Sequence, residues 1–229
     1  MSIGILLSRL TTLEAEGRFG GRAYPEGLEP FPRTLTGQGF FPGGDGLWRD
    51  DNQLALRQPS PFAFPSGEIM FLGNDFGSLA GFQRLRLHEN PPTWRWLRQR
   101  LKHAEIPGHL GFYTNAYLGL RSDRSALAHP MNNPSYNSLC AEYLAFQIRT
   151  LLPRLIVVLG SRPAGLLGDL LRLPKLHVGQ EEQVSFEEKP LCILPTSHPY
   201  SDLGKLPDQR LAEGALLQKA WGIASHLAS

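Results

Sequence analysis

Only two cysteines, Cys140 and Cys192, occur in 229 residues, and they stand far apart in apolar surroundings. Two thiols cannot ligate an iron–sulfur cluster or a structural zinc ion, so they read as small buried hydrophobes. No apolar run approaches the roughly 20 residues of a membrane helix. The opening residues lack a basic segment and are interrupted by Arg9, so they do not read as a signal peptide, and a cytoplasmic protein is expected. Charge of one sign is scarce too. A net charge of +2 is too small to argue for nucleic acid by itself. There is no internal repeat and no low-complexity tract. No G-x-G-x-x-G follows a strand, which argues against a dinucleotide site. No G-x-S-x-G elbow precedes a helix, which argues against a Ser-His-Asp hydrolase.

What is present fits one ordinary domain with an extension, long enough to bury a core without disulfides or metals. Residues 3 to 14 place Ile3, Leu6, Leu7, Leu10 and Leu13 at helical spacing. From about Tyr24 to Pro65 the chain is dense in proline, glycine and aromatics. Those aromatics want burial, so an ordered, irregular arm is expected rather than a flexible linker. The expected division is residues 1–63 for the helix and arm and 64–229 for the main domain.

Four short apolar runs follow: Ile69–Leu72, Leu110–Asn115, Leu155–Leu159 and Leu191–Leu194. Helical segments alternate with them, at about Pro92–His103, Ser138–Leu152, Arg162–Leu171 and Pro207–Leu227. On the last, Ala212, Leu216, Ile223 and Leu227 form the expected apolar face. Residues Leu176 to Glu188 alternate weakly, as a hairpin or edge excursion would. Strand and helix in strict alternation predict an α/β fold: three layers, α/β/α, around a central, mainly parallel four-stranded sheet.

In such a sheet the carboxyl ends of the strands share one edge, where α/β proteins bind ligands. Asn74-Asp75, Thr114-Asn115, Gly160-Ser161 and Thr196-Ser-His198 would all lie there. Taken alone, Gly73-Asn-Asp-Phe-Gly77 is also good turn chemistry. The convergence gives it a second meaning. A carboxamide suits the amide edge of a pyrimidine. A carboxylate near a sugar stabilises an oxocarbenium-like transition state and positions a water. A histidine can donate to an oxygen on which negative charge develops. Ser161 and the amides of its helix can hold a phosphate. Together these outline N-glycosidic bond hydrolysis on a nucleotide. Between Arg84 and His103, six cations including Arg98 and Arg100 face one acid, Glu89, with Trp94 and Trp96 interleaved. That is either an ordinary amphipathic helix with a solvated basic face or a surface for DNA phosphates.

With these residues in view, the chain resembles the uracil-DNA glycosylase superfamily over roughly Phe64 to Leu227. Gly73-Asn-Asp-Phe-Gly77 is similar to its first motif, Gly-x-Asp/Asn-Pro-Tyr/Gly. Tyr113-Thr-Asn-Ala116 is similar to the strand end that supplies a base-reading Asn. Pro153–Ser161 is similar to the "P-x-x-I-V-x-L-G" strand, and His198-Pro199 to the His-Pro of the final motif. The resemblance implies a monofunctional DNA glycosylase without cofactor or metal, acting as a monomer on a base flipped from duplex DNA or on a single strand. It implies that Asp75 orients the water and stabilises the sugar cation, and that His198 stabilises the leaving base. Asn115 would read the base, with Asn74 beside it. Ser161, Ser201, Arg98 and Arg100 would contact DNA, and Leu203 would be the wedge. Phe82 or Phe76 would stack on the base.

Two departures stand out. Phe76 replaces the family's proline, and Tyr200 stands where a serine follows His-Pro. Gly77 stands where uracil-restricted members carry a tyrosine, which implies room beside C5 of the base and a range broader than uracil. No lysine sits at a strand end to form a Schiff base, so no lyase step is expected. The competing expectation is a non-catalytic protein on the same fold that binds nucleic acid or a nucleotide.

Overall fold

The computed structural model describes residues 3–30, 68–80, 92–122 and 133–227. The expected boundary at 63/64, most of the arm and Phe82 lie outside these. Helix α1 spans Ile3–Ala15 and is followed by a two-residue strand, β1, Leu28–Glu29. The main sheet has β2 (Ile69–Asp75), β3 (Gly111–Tyr117), β5 (Leu155–Leu159), β6 (Glu182–Phe186) and β7 (Lys189–Thr196). A second short strand, β4 (Leu120–Arg121), pairs antiparallel with β1. The remaining helices are α2 (Pro92–His103), α3 (Pro134–Leu151), α4 (Ser161–Leu171) and α5 (Pro207–His226).

The sheet order is β3-β2-β5-β7-β6, parallel except for the β6–β7 hairpin. The sheet therefore has five strands, not four: the weak alternation at 176–188 contains an antiparallel edge strand. β6 alternates half-buried and exposed residues because only one of its faces is covered. The parallel strands read as unbroken apolar runs because both of their faces are covered. Successive side chains alternate between those faces. Met70, Leu72, Phe112, Ile156, Val158 and Ile193 pack with α1, α3 and α4, while Ile69, Phe71, Tyr113, Val157 and Leu194 pack with α2 and α5. Two cores thus sandwich the sheet in three layers.

Two boundaries and one helix face differ from expectation for local reasons. β2 does not stop at Gly73. It runs on to Asp75, because Gly73 pairs with Asn115 and Asp75 with Tyr117 on β3. α3 starts four residues early, at Pro134: the Asn133 side chain accepts the Tyr136 N–H at 3.2 Å and the proline occupies the first turn. On α5 the buried stripe is Gly214, Leu217, Ala220 and Ala224, whereas Ala212 is exposed. Small residues won because α5 lies very close to α2.

No helix among the described residues is long and apolar enough to cross a membrane. Cys140 and Cys192 are buried, as their surroundings implied. Burial pushes the Cys140 thiol from its ordinary 9.0 up to about 12 and the Cys192 thiol up to about 11. Across that window the unfolded chain has lost thiol protons that the native chain keeps, so stability falls as pH rises. Below the unfolded thiol pKa these groups contribute their full stabilisation. The urea midpoint is therefore expected to drop between about pH 9 and 12. At pH 8 both thiols should resist alkylation until the chain unfolds. Rapid labelling of the native protein would contradict this.

Candidate functional site

The register brings the carboxyl ends of β3, β2, β5 and β7 to one edge, with Gly73 opposite Asn115, Leu72 opposite Val158 and Leu159 opposite Thr196. Asn115 is 4% exposed, and its neighbour across the ladder, Gly73, has no side chain. Thr114, on the opposite face, is buried with its Oγ1 unpartnered.

Asp75 closes the end of β2. Its Oδ1 accepts the Gly77 N–H at 2.7 Å, and its Oδ2 accepts from Asn74 Nδ2 at 2.8 Å. The first contact is the turn chemistry that the Gly-Asn-Asp-Phe-Gly sequence favours. The second fixes the Asn74 amide, because the opposite orientation would aim its oxygen at a carboxylate. It leaves Asn74 Oδ1 buried and unpartnered. A carboxylate has about four acceptor sites, so two remain on Asp75, which keeps 19% of its side chain exposed.

Sequence reasoning missed Arg121. Its backbone N–H donates to Gly77 O at 2.9 Å, and its NH2 lies 3.8 Å from Asp75 Oδ1. Its Nε is buried without a partner. β4 thus fastens the loop from the main chain and sets a cation beside the carboxylate. Pairing of Leu28 with Arg121 ties the described start of the arm to the same place. An arginine in Gly119-Leu-Arg-Ser122, just past the end of β3, carried no sequence signal for this.

Gly77 has φ +79°, and a Cβ there would meet nothing within 4 Å. The space beside it is open, and the backbone supplies its own reason for glycine. Gly77→Ala is expected to cost about 1–2 kcal/mol, which lowers Tm by about 2–8 °C. Gly77→Asn should cost less, since asparagine tolerates this conformation. Identical melting of both variants and the native protein would refute the assignment. Phe76, by contrast, is 4% exposed and belongs to the core on the α1, α3 and α4 side, together with Tyr117 and Tyr136.

At the other end of the edge, Gly160 adopts φ 110° and ψ 168°, a conformation almost confined to glycine. It precedes α4 without a side-chain cap, and Ser161 is exposed on the first turn. Ser161 and Arg162 supply the N–H groups of that turn, since Pro163 has none, and such groups as a class favour anions. A Cβ on Gly160 would stand 3.6 Å from His198 Cβ, so the imidazole emerges beside this helix start. His198 is half-buried, and its carbonyl accepts from both the N–H and the hydroxyl of Ser201, at 2.8 and 2.7 Å. Leu203 lies in the turn Pro199–Gly204, but its side chain is outside the described residues.

The basic helix divides. Arg98 is half-buried, and desolvation lowers its pKa from the ordinary arginine value without removing its charge. Arg100 is 3% exposed and turned inward onto Thr196 and Ser197. It has no face for a DNA phosphate, so that expectation is corrected. The signal was available: Leu97, Arg100, Leu101 and Ala104 share one helix face, and an arginine on an apolar stripe seeks a buried partner. Among the described residues no three His, Cys, Asp or Glu side chains cluster as metal ligands would.

A scan against protein-family models finds no match for this chain, and a search of curated proteins finds none either.

Proposed function

We propose that this chain is a monofunctional DNA glycosylase of the uracil-DNA glycosylase type, hydrolysing the N-glycosidic bond of uracil or another damaged base as the first step of base excision repair. The observation that carries the reading is the setting of Asp75. It is a partly exposed carboxylate at the carboxyl edge of a parallel sheet, with two acceptor sites still open, on the same edge as Asn115 and His198. In this reading the open sites on Asp75 take up a proton of the attacking water, and its charge stabilises the oxocarbenium-like sugar. Asn115 hydrogen-bonds the amide edge of the flipped base. His198 donates to the base oxygen as the bond breaks. The α4 N-terminus with Ser161 takes a flanking phosphate, with Arg98 and Ser201 on the same DNA face and Leu203 as the wedge. The open space at Gly77 favours bases larger than uracil. The partner is DNA, and the chain acts as a monomer in the cytoplasm.

A second reading has its own support. Both oxygens of Asp75 already accept hydrogen bonds within the loop, Arg121 stands close by, and Phe76 fills core space where the resemblance has proline. A non-catalytic protein that binds nucleic acid or a nucleotide would tolerate such a carboxylate. Labelled single- and double-stranded oligonucleotides carrying uracil, hypoxanthine, xanthine or a thymine mispair separate the two. Alkali-labile abasic sites support the enzyme. Tight binding with no abasic product on any substrate establishes the second reading.

A further inference from the structure

Ser197 stands between the end of β7 and His198, and its hydroxyl has filled every hydrogen-bonding position. It accepts from Arg100 NH2 at 3.0 Å and from Lys205 Nζ at 2.6 Å, and it donates to Glu213 Oε1 at 2.7 Å. One proton and two lone pairs are all that a hydroxyl has. The Ser197 carbonyl accepts from Arg100 NH1 at 2.8 Å. The same NH1 reaches Thr196 Oγ1 at 3.3 Å, and that hydroxyl donates to Val158 O at 3.2 Å. Lys205 Nζ also donates to Glu213 Oε1 at 2.7 Å, and Glu213 Oε2 lies 3.7 Å from Arg100 NH1. Four side chains from α2, the β7 end, the following turn and α5 therefore meet around one peptide.

A serine beside a lysine is also the arrangement of a Ser–Lys nucleophile. Here the geometry opposes that use. The lysine donates to Oγ instead of accepting from it, the proton is aimed at Glu213, and no lone pair remains to attack a carbonyl. Two cations around one buried carboxylate are costly to disturb, since removing a partner leaves buried charge uncompensated. The residue that follows Ser197 directly is His198.

We infer that Ser197, Arg100, Glu213 and Lys205 are positioning residues for His198: they clamp the peptide that carries it and so fix where the imidazole stands beside Gly160. The inference rests on the reading of His198 as donor to the leaving base. Its test has one readout that does not depend on that reading. Amide exchange is followed at Ser201, whose N–H donates to His198 O, and at Gly160, whose N–H donates to Thr196 O at 3.0 Å. In Ser197→Ala these two amides are expected to exchange at least about tenfold faster while the β2 and β5 amides hold. The single-turnover rate of abasic-site formation should fall about 10- to 100-fold, with the Kd for DNA unchanged. Glu213→Gln, which keeps the side-chain shape, carries the same expectations should the alanine variant fold poorly. Unaltered exchange at Ser201 and Gly160 overturns the inference, and so does a loosened segment with an undiminished rate. If the native protein forms no abasic sites at all, the glycosylase reading falls, and the exchange measurement still decides whether the cluster holds the segment.

Discussion

Asp75→Asn is expected to lower the single-turnover rate of abasic-site formation about 10²–10⁴-fold while leaving the fold and DNA binding in place. The loop is equipped to survive the change. Asparagine keeps an oxygen for the Gly77 N–H, and its new amide group would face Asn74 Nδ2, donor against donor. Asn74 can rotate its amide by half a turn, because its Oδ1 is buried with no partner to lose. The rotated oxygen then accepts from the new amide. What disappears is the negative charge and with it the means to stabilise a sugar cation and accept a proton from water. A melting temperature equal to that of the native chain, together with lost product, isolates chemistry from stability. Rates within tenfold of the native chain would sink the catalytic role of Asp75 and leave the chemistry to other groups at the strand ends.

The second large effect is on stability, and it sets two glycines of one helix against each other. A Cβ on Gly214 would lie 2.5 Å from His103 Cβ and 3.4 Å from Arg100 O, so α2 and α5 touch there with no room for a methyl group. A Cβ on Gly222 would meet nothing within 4 Å. In an open helical position, alanine for glycine gains about 1 kcal/mol from the reduced freedom of the unfolded chain. Gly222→Ala should therefore raise Tm by about 2–4 °C. At Gly214 the same gain is opposed by roughly 1–3 kcal/mol of overpacking, with the helices driven apart. Gly214→Ala should lower Tm, and Gly214→Val should lower it further. Glu213 is the adjacent residue and Arg100 lies across the contact, so a parted interface also pulls on the clamp around Ser197. Thermal melts decide the matter. Equal shifts of the same sign at both glycines would show that the close approach is not the constraint.

Much of the architecture was legible because buried parallel strands advertise themselves. Leu155–Leu159 has no polar residue, and Gly160-Ser161 after it marks the passage into a helix. The fifth strand was harder to see. Its hairpin turns through Glu187 and Glu188 at φ 49° and 67°, where glycine or asparagine is the usual signal. β6 itself has one covered face and a diluted pattern. At the site, Asp75, Asn115, Gly160 and His198 could be placed because strand ends fix positions along the sheet. Arg121 and the Arg100–Ser197–Glu213–Lys205 cluster could not be. The arginine pairings, Asp75–Arg121, Arg100–Ser197 and Arg100–Glu213, join residues far apart in the chain, and no local periodicity encodes which arginine meets which carboxylate. Only the position of Arg100 on an apolar stripe hinted at an inward course.

The strand order has a consequence for how the chain is made. β2 pairs with β3 and β5, and both follow it in the chain. A ribosome therefore releases the Ile69–Leu72 run about 85 residues before β5 can cover its other edge, on the order of 4–17 s at roughly 5–20 residues per second. Both edges of this apolar strand are open until β3 emerges and one stays open until β5 does, which is when parallel sheets are most prone to wrong pairing. Asp75 ends that waiting strand, and His198 follows β7, the last strand of the sheet to emerge. The two halves of the proposed site meet only when nearly the whole sheet has emerged, so a stalled or shortened chain has no partial site to offer.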